Sequence, residues 1–141
     1  MLSNGCHWID HFLHLNDYSK PKEWRAWLAG RTLNCSIELL NGAEFTMALT
    51  DVGSPRIGLR ELVEVRAGAA SARIIDGRSY ISEDARRYLR RTRFQKGAAH
   101  RLMYESFAAR ILAGDAGDSL ASIEQSTQLT LSLDELIRSG A

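Results

Sequence analysis

Residues 33–49 read LNCSIELLNGAEFTMAL, and this stretch decides the fold. Apolar and polar side chains alternate on both sides of Asn41-Gly42, which gives each half the two-residue period of a strand with one buried face. Asn-Gly between two such runs favours a hairpin, because a type I′ turn needs positive φ at both central residues. The side chains predicted to face the core are Leu33, Cys35, Ile37 and Leu39 before the turn, and Phe45, Met47 and Leu49 after it.

The segments around this hairpin predict a mixed architecture. Two helices are expected before it, over residues 6–15 and about 20–29, the second with Pro21 near its first turn and Gly30 as its stop. The alternating stretches that predict further strands are 56–66, about 71–76 and 78–81.

The rest of the chain reads as mainly helical. Helices are expected over 83–95, with Ser82 as a candidate N-cap, and over about 97–113. For residues 115–141 we predict a flexible tail or an added strand, since residues 128–133 alternate like a strand, and Ser132 with Glu135 leaves a short helix as the alternative. We therefore predict one α+β domain, residues 1–141. Its antiparallel sheet of four to five strands is accompanied by N-terminal helices and a C-terminal helical segment.

The composition narrows the class of protein. The 141 residues suffice for one domain with a real core, and 45% hydrophobic with 25% charged residues is ordinary for a soluble globular protein. Cys6 and Cys35 form neither a metal-spaced pair nor a disulfide framework, which suits a reducing cytoplasm. Because there is no signal peptide and no run of ~18 apolar residues, we expect a cytoplasmic protein without a membrane partner.

Arg60 lies in the stretch RIGLRELVEVR, residues 56–66, on the face opposite to the apolar residues of the predicted strand. An arginine held on a strand can bind a carboxylate through two parallel hydrogen bonds, which makes Arg60 a candidate ligand anchor. It can equally be a surface charge that pairs with Glu64. The sequence leaves both interpretations open.

The predicted helix over 83–95 is rich in arginine. Such a basic stripe neutralises phosphates, and so it predicts salt-dependent binding to nucleic acid or to an acidic protein. The alternative is a solvated cationic face that is balanced by the acidic residues of the tail. The candidate contact residues are Arg86, Arg87, Arg90, Arg91 and Arg93.

The first predicted helix carries three histidines, His7, His11 and His14, on one face with Asp10 beside them. Two histidines one turn apart can chelate zinc, nickel or copper. The apolar residues occupy the other side of this helix, so the alternative is a solvated face. We predict no resident metal and keep the three histidines as candidates.

Residues 24–81 resemble the first half of chorismate lyase. The motifs in similar order are a helix with Trp27-Leu28, a hairpin with Gly42, the strand Leu59-Arg60-Glu61-Leu62 and a strand closing on Gly77-Arg78-Ser79. The resemblance implies a small antiparallel sheet with helices over a pocket, and the cofactor-free splitting of chorismate into 4-hydroxybenzoate and pyruvate. The same fold forms the ligand-sensing half of some bacterial transcription regulators. By this resemblance, Arg60 and Arg78 hold the carboxylates of a small aromatic or cyclic acid.

The sequence thus predicts a small-carboxylate binding domain that is similar to chorismate lyase, with or without its activity. The alternative is a regulatory or interaction module that binds nucleic acid or an acidic protein through the arginine-rich helix. No catalytic triad, Walker sequence or glycine-rich dinucleotide loop is present, so no catalytic residue is predicted. No cofactor is expected.

Overall fold

A computed structural model describes residues 2–53, 56, 58, 60–92, 98–114 and 120–139 of this chain. As predicted, the fold is α+β, with helices towards both ends of the sequence and antiparallel sheets between them. The chain divides into two compact units, one formed by residues 1–52 and 117–141 and the other by residues 53–116. Among the described residues, no helix has both the length and the apolar character that crossing a bilayer requires.

The described residues form three helices and seven strands. In chain order they are α1 (Leu2–His14), β1 (Pro21–Ala29), β2 (Thr32–Leu39), β3 (Glu44–Thr50), β4 (Leu62–Ala67), β5 (Ala70–Ile75), β6 (Ser79–Glu83), β7 (Tyr88–Thr92), α2 (Ala98–Leu112) and α3 (Leu120–Ser139). The strands make a three-stranded sheet in the order β1-β2-β3 and a four-stranded sheet in the order β4-β5-β6-β7.

The predicted hairpin is confirmed as β2 and β3. Cys35 lies opposite Met47 in the antiparallel register, so the two apolar rows share one face of the sheet. The turn itself differs from the prediction, because residues 40–43 join the strands and, of Asn41 and Gly42, only Gly42 has a positive φ, of 83°. Type I′ is therefore wrong, and Gly42 supplies the left-handed residue that the longer turn needs.

The core of the first unit lies between one face of the three-stranded sheet and the helices α1 and α3. Phe12 of α1 stacks on Phe45 of β3 with ring centroids 5.1 Å apart, and α3 packs against β1 and α1. Burial of each large aliphatic side chain there stabilises the fold by about 1.5–3 kcal/mol. The buried core residues are Ile9, Leu13, Ala26, Leu33, Cys35, Ile37, Leu39, Leu129 and Leu133.

The helix predicted over residues 20–29 is wrong, because this segment is strand β1. Ala26 is buried towards the helices and pairs in register with Cys35, whereas Trp27 is exposed on the opposite face. Pairing with β2 thus overrides the local helix signals. Gly30, predicted as a helix stop, is instead the left-handed residue of the turn into β2, with a φ of 62°.

The C-terminal segment is a helix and not a flexible tail or an added strand. α3 buries Leu129 and Leu133 in the core, while Leu131 between them is 57% exposed. The alternation of leucines that suggested a strand therefore contains the i, i+4 spacing of one helix face. The flanking residues 115–119 and 140–141 lie outside the described part of the chain.

The second unit consists of the four-stranded sheet and α2. Its strands follow each other as antiparallel neighbours, and α2 ends where the sequence predicts, just before Gly114, whose φ is 71°. None of the described side chains in this unit is buried. The described buried core therefore belongs to the first unit.

The helix predicted over 83–95 is wrong, because β6 and β7 form a hairpin there. Asp84 fixes the turn: its Oδ1 accepts hydrogen bonds from the N–H groups of Arg86 at 2.7 Å and Arg87 at 2.8 Å. An aspartate whose side chain accepts hydrogen bonds from the following backbone N–H groups is common both at the start of a helix and in a tight turn. The local sequence therefore does not distinguish a helix from a hairpin here. Pairing with β6 selects the strand, and residues 93–97 lie outside the described residues.

Candidate anion-binding site

Arg60, the candidate ligand anchor, lies just before β4 and not within a regular strand. Of the strand predicted over 56–66, only the part from Leu62 onwards is strand in the described structure. The segment before it is nevertheless held in place, because the N–H of Asp76 donates a hydrogen bond to the carbonyl of Glu61 at 2.8 Å. Arg60 is therefore carried by a backbone segment that is attached to the β5–β6 turn.

Asp76 is the centre of the candidate site. Its Oδ1 accepts a hydrogen bond from the N–H of Glu61 at 3.0 Å, and its Oδ2 forms an ion pair with Nη1 of Arg60. It has a φ of 52°, a left-handed conformation that aspartate adopts more readily than most residues. The Asp76 side chain is 20% exposed and that of Arg60 66% exposed, so the carboxylate is enclosed while the guanidinium faces solvent.

The groups around this turn lower the pKa of the Asp76 carboxyl group. The N–H of Glu61 lowers the pKa of Asp76 most, Arg60 lowers it next, and Arg78 adds a weaker attraction. Arg60 thus contacts the Asp76 carboxylate directly, whereas Arg78 favours its ionised form through its charge alone.

Asp76 itself was missed as a site residue. The sequence indicates only a turn at Asp76-Gly77, and no local signal connects it with Arg60 across 16 positions. The partner considered for Arg60 was Glu64, but Glu64 pairs with Arg66 on its own strand. Residues two apart on a strand share a face, which makes the Glu64–Arg66 pair the local one.

The arginine-rich segment does not form the single stripe that was predicted. Arg86 and Arg87 are exposed at the turn of the β6–β7 hairpin, and Arg90 is exposed on β7. Because residues 88–92 form strand β7, the helical spacing that the predicted stripe requires is not present in this segment. The side chain of Arg91 and the whole of Arg93 lie outside the described residues.

The three histidines are exposed on α1. The ring of His11 makes an edge contact with Trp8 at a centroid distance of 6.4 Å, and that of His14 makes one with Tyr18 at 6.2 Å. Within the described ranges, no three His, Cys, Asp or Glu side chains are grouped so that they could hold a metal ion. In the described structure, the histidine face of α1 therefore has aromatic contacts and no preformed chelate.

Comparison with known proteins adds a fold relationship. No protein-family model matches the sequence, and no curated protein matches it. A solved structure with a similar fold is UDP-N-acetylglucosamine 3-dehydrogenase GnnA from Acidithiobacillus ferrooxidans, with a TM-score of 0.77 and 15% sequence identity. The similarity covers 96% of this chain and 46% of that chain, so this chain spans less than half the length of the structure that it resembles. At this identity the relationship is one of fold.

Proposed function

We propose that this chain is a binding domain for a small anionic molecule, whose carboxylate or phosphate group is held by Arg60 and Arg78. The ion pair between Arg60 and Asp76 carries the proposal, because it holds in place an arginine that stays 66% exposed. The charge of Arg78 also favours the ionised carboxylate of Asp76. A guanidinium has five N–H donors. Asp76 engages Arg60 through Nη1, so the other donors remain for a ligand.

Asp76 has two effects on an incoming anion. It positions the Arg60 guanidinium before the ligand arrives, which lowers the entropic cost of binding. It also cancels part of the positive charge, which weakens the attraction. An anion that bridges both arginines gains more than one that makes a single contact, because forked ion pairs are the stronger ones. We therefore expect diphosphates and dicarboxylates to bind better than acetate.

Two ligand classes have this chemistry, and a sugar nucleotide is the first candidate. The protein with the similar fold is a UDP-N-acetylglucosamine dehydrogenase, and the similarity spans 96% of this chain. The second candidate is an aromatic or cyclic acid, which the motifs around Arg60 and Arg78 suggest by their resemblance to chorismate lyase. The helix with Trp27-Leu28, which belongs to the same resemblance, is strand β1 in the structure and does not support it. The sequence has no glycine-rich dinucleotide loop. As part of a dehydrogenase, this chain would therefore bind the substrate and not the dinucleotide cofactor.

Calorimetric titration tests the proposal with UDP-N-acetylglucosamine, UDP, N-acetylglucosamine, chorismate and 4-hydroxybenzoate. We expect Arg60→Ala to weaken binding about 10- to 100-fold, the loss of a charge-assisted hydrogen bond. Asp76→Asn keeps an acceptor for the Glu61 N–H and removes the competing charge, so it should bind the anion more tightly. The matched control is Arg66→Ala, which removes a 79% exposed arginine from the same unit and should change nothing.

The ligand panel separates the candidates. Binding of UDP-N-acetylglucosamine and UDP but not of the free sugar identifies the diphosphate as the recognised group, whereas binding of the acids alone selects the carboxylate. The proposal fails if Arg60→Ala and Arg78→Ala both bind every ligand as the unmodified protein does, or if Arg66→Ala weakens binding by the same factor as Arg60→Ala.

A further inference from the structure

An open groove lies between β1 and α3 of the first unit. We propose that it binds the ring of an uncharged sugar, which stacks on Trp24 and hydrogen-bonds to side chains of α3. The groove has a volume of about 380 Å³. Its polar and aromatic lining consists of Lys20, Trp24, Glu124, Gln125, Gln128 and Ser132.

Trp24 supplies an apolar surface that is open to solvent. It lies on the helix-facing side of β1, in register with the core residue Ile37. Because β1 is an edge strand of its sheet, Trp24 is 38% exposed while Ile37 is only 2% exposed. A partly exposed indole ring can stack on the C–H groups of a sugar ring, in a contact that combines burial of apolar area with attraction to the π-system.

The α3 side of the groove supplies both donors and acceptors. Gln125, Gln128 and Ser132 follow the i, i+3, i+7 spacing of one helix face. Gln125 is already oriented, because its Nε2 donates to the carbonyl of Ser19 at 3.0 Å and its Oε1 remains as an acceptor. Within the described part of the chain, Gln128 and Ser132 have no protein partner for their side chains.

This combination matches the chemistry of a sugar. Each hydroxyl group of a sugar both donates and accepts, as amide and hydroxyl side chains do. Lys20 and Glu124 add one charge of each sign, so the groove has no net attraction for an anion or a cation. The groove shares no residue with the site around Asp76, and either proposal can therefore fail without the other.

The test follows the three indole N–H signals of the protein by NMR, which come from Trp8, Trp24 and Trp27. Trp24→Phe and Trp27→Phe assign two of them. Methyl glucoside, methyl galactoside and methyl mannoside are titrated to about 50 mM, because we expect a Kd on the order of 1 mM for so open a groove. The Trp24 signal should shift and saturate. Trp27, 46% exposed on the opposite face of the same strand, is the internal control and should not shift.

Matched variants test the polar side of the groove. Gln128→Ala should weaken binding about 3- to 10-fold, as the loss of one hydrogen bond does, whereas Thr127→Ala, an exposed neighbour that does not line the groove, should bind normally. Trp24→Ala should abolish the saturable shifts of the sugar signals while circular dichroism shows a folded protein. The proposal is overturned if Trp24 shows no saturable shift with any sugar, if Trp27 shifts as much, or if Gln128→Ala keeps full affinity. Adenosine binding in place of the sugars would also overturn it, since that result makes the groove a site for a planar base.

Discussion

At the scale of single residues, Asp76 should make the stability of the fold depend on pH in the acidic range. The Glu61 N–H and Arg60 hold its folded-state pKa below the ordinary value of 3.8. A lowered pKa contributes stability above the pKa of the unfolded state, and this contribution is lost as the pH falls through the folded-state pKa. We expect the stability difference between the unmodified protein and Asp76→Asn to shrink as the pH is lowered below about 4. Urea unfolding at a series of pH values measures it.

Glu64→Gln is the comparison for this experiment, because it removes an exposed carboxylate that pairs with Arg66 on the same strand. Exposed pairs of this kind contribute little. A stability difference for Asp76→Asn that stays constant down to the acid limit would mean that its ionisation is not coupled to folding.

Cys35 should produce the opposite dependence at alkaline pH. Burial raises the pKa of its thiol from 9.0 to about 11. The stability that follows from a raised pKa is complete below the unfolded-state value and is lost as the pH rises through the folded-state value. We expect a loss of about 1 kcal/mol by about pH 10, because the unfolded chain ionises there and the folded one does not. Urea unfolding of Cys35→Ala should lack this loss, and an identical loss in both proteins would assign it to other groups.

Gly5 determines how closely α1 approaches β3. A Cβ atom there would lie 2.9 Å from Cε of Met47 and 3.0 Å from Cδ1 of Leu49. Both are ends of flexible side chains, so Gly5→Ala should stay within about 1 kcal/mol of the unmodified protein, as its gain in helix propensity offsets their shift. Gly5→Val should lose about 1–3 kcal/mol, because its methyl groups overpack this contact. Chemical unfolding measures both, and an undiminished stability of Gly5→Val would show that α1 is not seated as closely as described.

At the scale of elements, α3 is an integral part of the first unit. Leu133 is fully buried, and Leu131, on the same helix, is 57% exposed. Leu133→Ala should therefore destabilise by about 2–5 kcal/mol, since it removes core contacts and leaves a cavity. Leu131→Ala should change the free energy of unfolding by less than about 0.5 kcal/mol. Similar values for both leucines, measured by urea unfolding, would contradict the packing of α3 against the sheet.

The β6–β7 hairpin carries exposed arginines, which allow a test of the alternative function, the binding of nucleic acid. Arg86 and Arg87 are exposed at its turn. If they contact phosphates, Arg86→Ala with Arg87→Ala should weaken binding to a DNA duplex and reduce the slope of log K against log salt by about 2. Fluorescence anisotropy at several salt concentrations measures the slope, with Arg66→Ala as the control. Binding that does not respond to salt would exclude phosphate contacts.

At the scale of the whole molecule, the two units differ in how much they bury. Every buried hydrophobic residue among those described belongs to the first unit. Because amide exchange is slowest where burial is greatest, we expect β2 to be the most protected segment and β4 to β7 to exchange faster. Hydrogen exchange with peptide-level mass spectrometry measures this, and equal protection of both sheets would mean that they open as one cooperative unit.

The sequence predicts an element correctly when the residues that stabilise it are close together in the chain. The β2–β3 hairpin and the end of α2 at Gly114 depend on residues that are close in the chain, and both are confirmed. β1 and β7 were predicted as helices, because their capping and turn residues suit either structure. Their strand conformation comes from pairing with β2 and β6, and a window of neighbouring residues does not contain that information.

In the candidate site, too, some residues were named from the sequence and others only from the structure. Arg60 was singled out by its place in an alternating stretch and Arg78 by the resemblance to chorismate lyase, and their role as ligand anchors stays a prediction. Asp76 does not stand out, since its importance depends on a backbone hydrogen bond to Glu61 and an ion pair with Arg60. The groove beside Trp24 likewise requires β1 and α3 to lie together, although the whole second unit separates them in sequence.

The sequence by itself determined the α+β class, the central hairpin with its inward-facing row and the helix that ends before Gly114. These depend on the period of apolar residues, on turn chemistry and on residue type, all of which act over a few positions. Only the tertiary structure decided that seven strands form two sheets, that α3 completes the core, and that a carboxylate lies beside Arg60. Those features depend on contacts between distant segments, and their free energy appears only when the chain has folded.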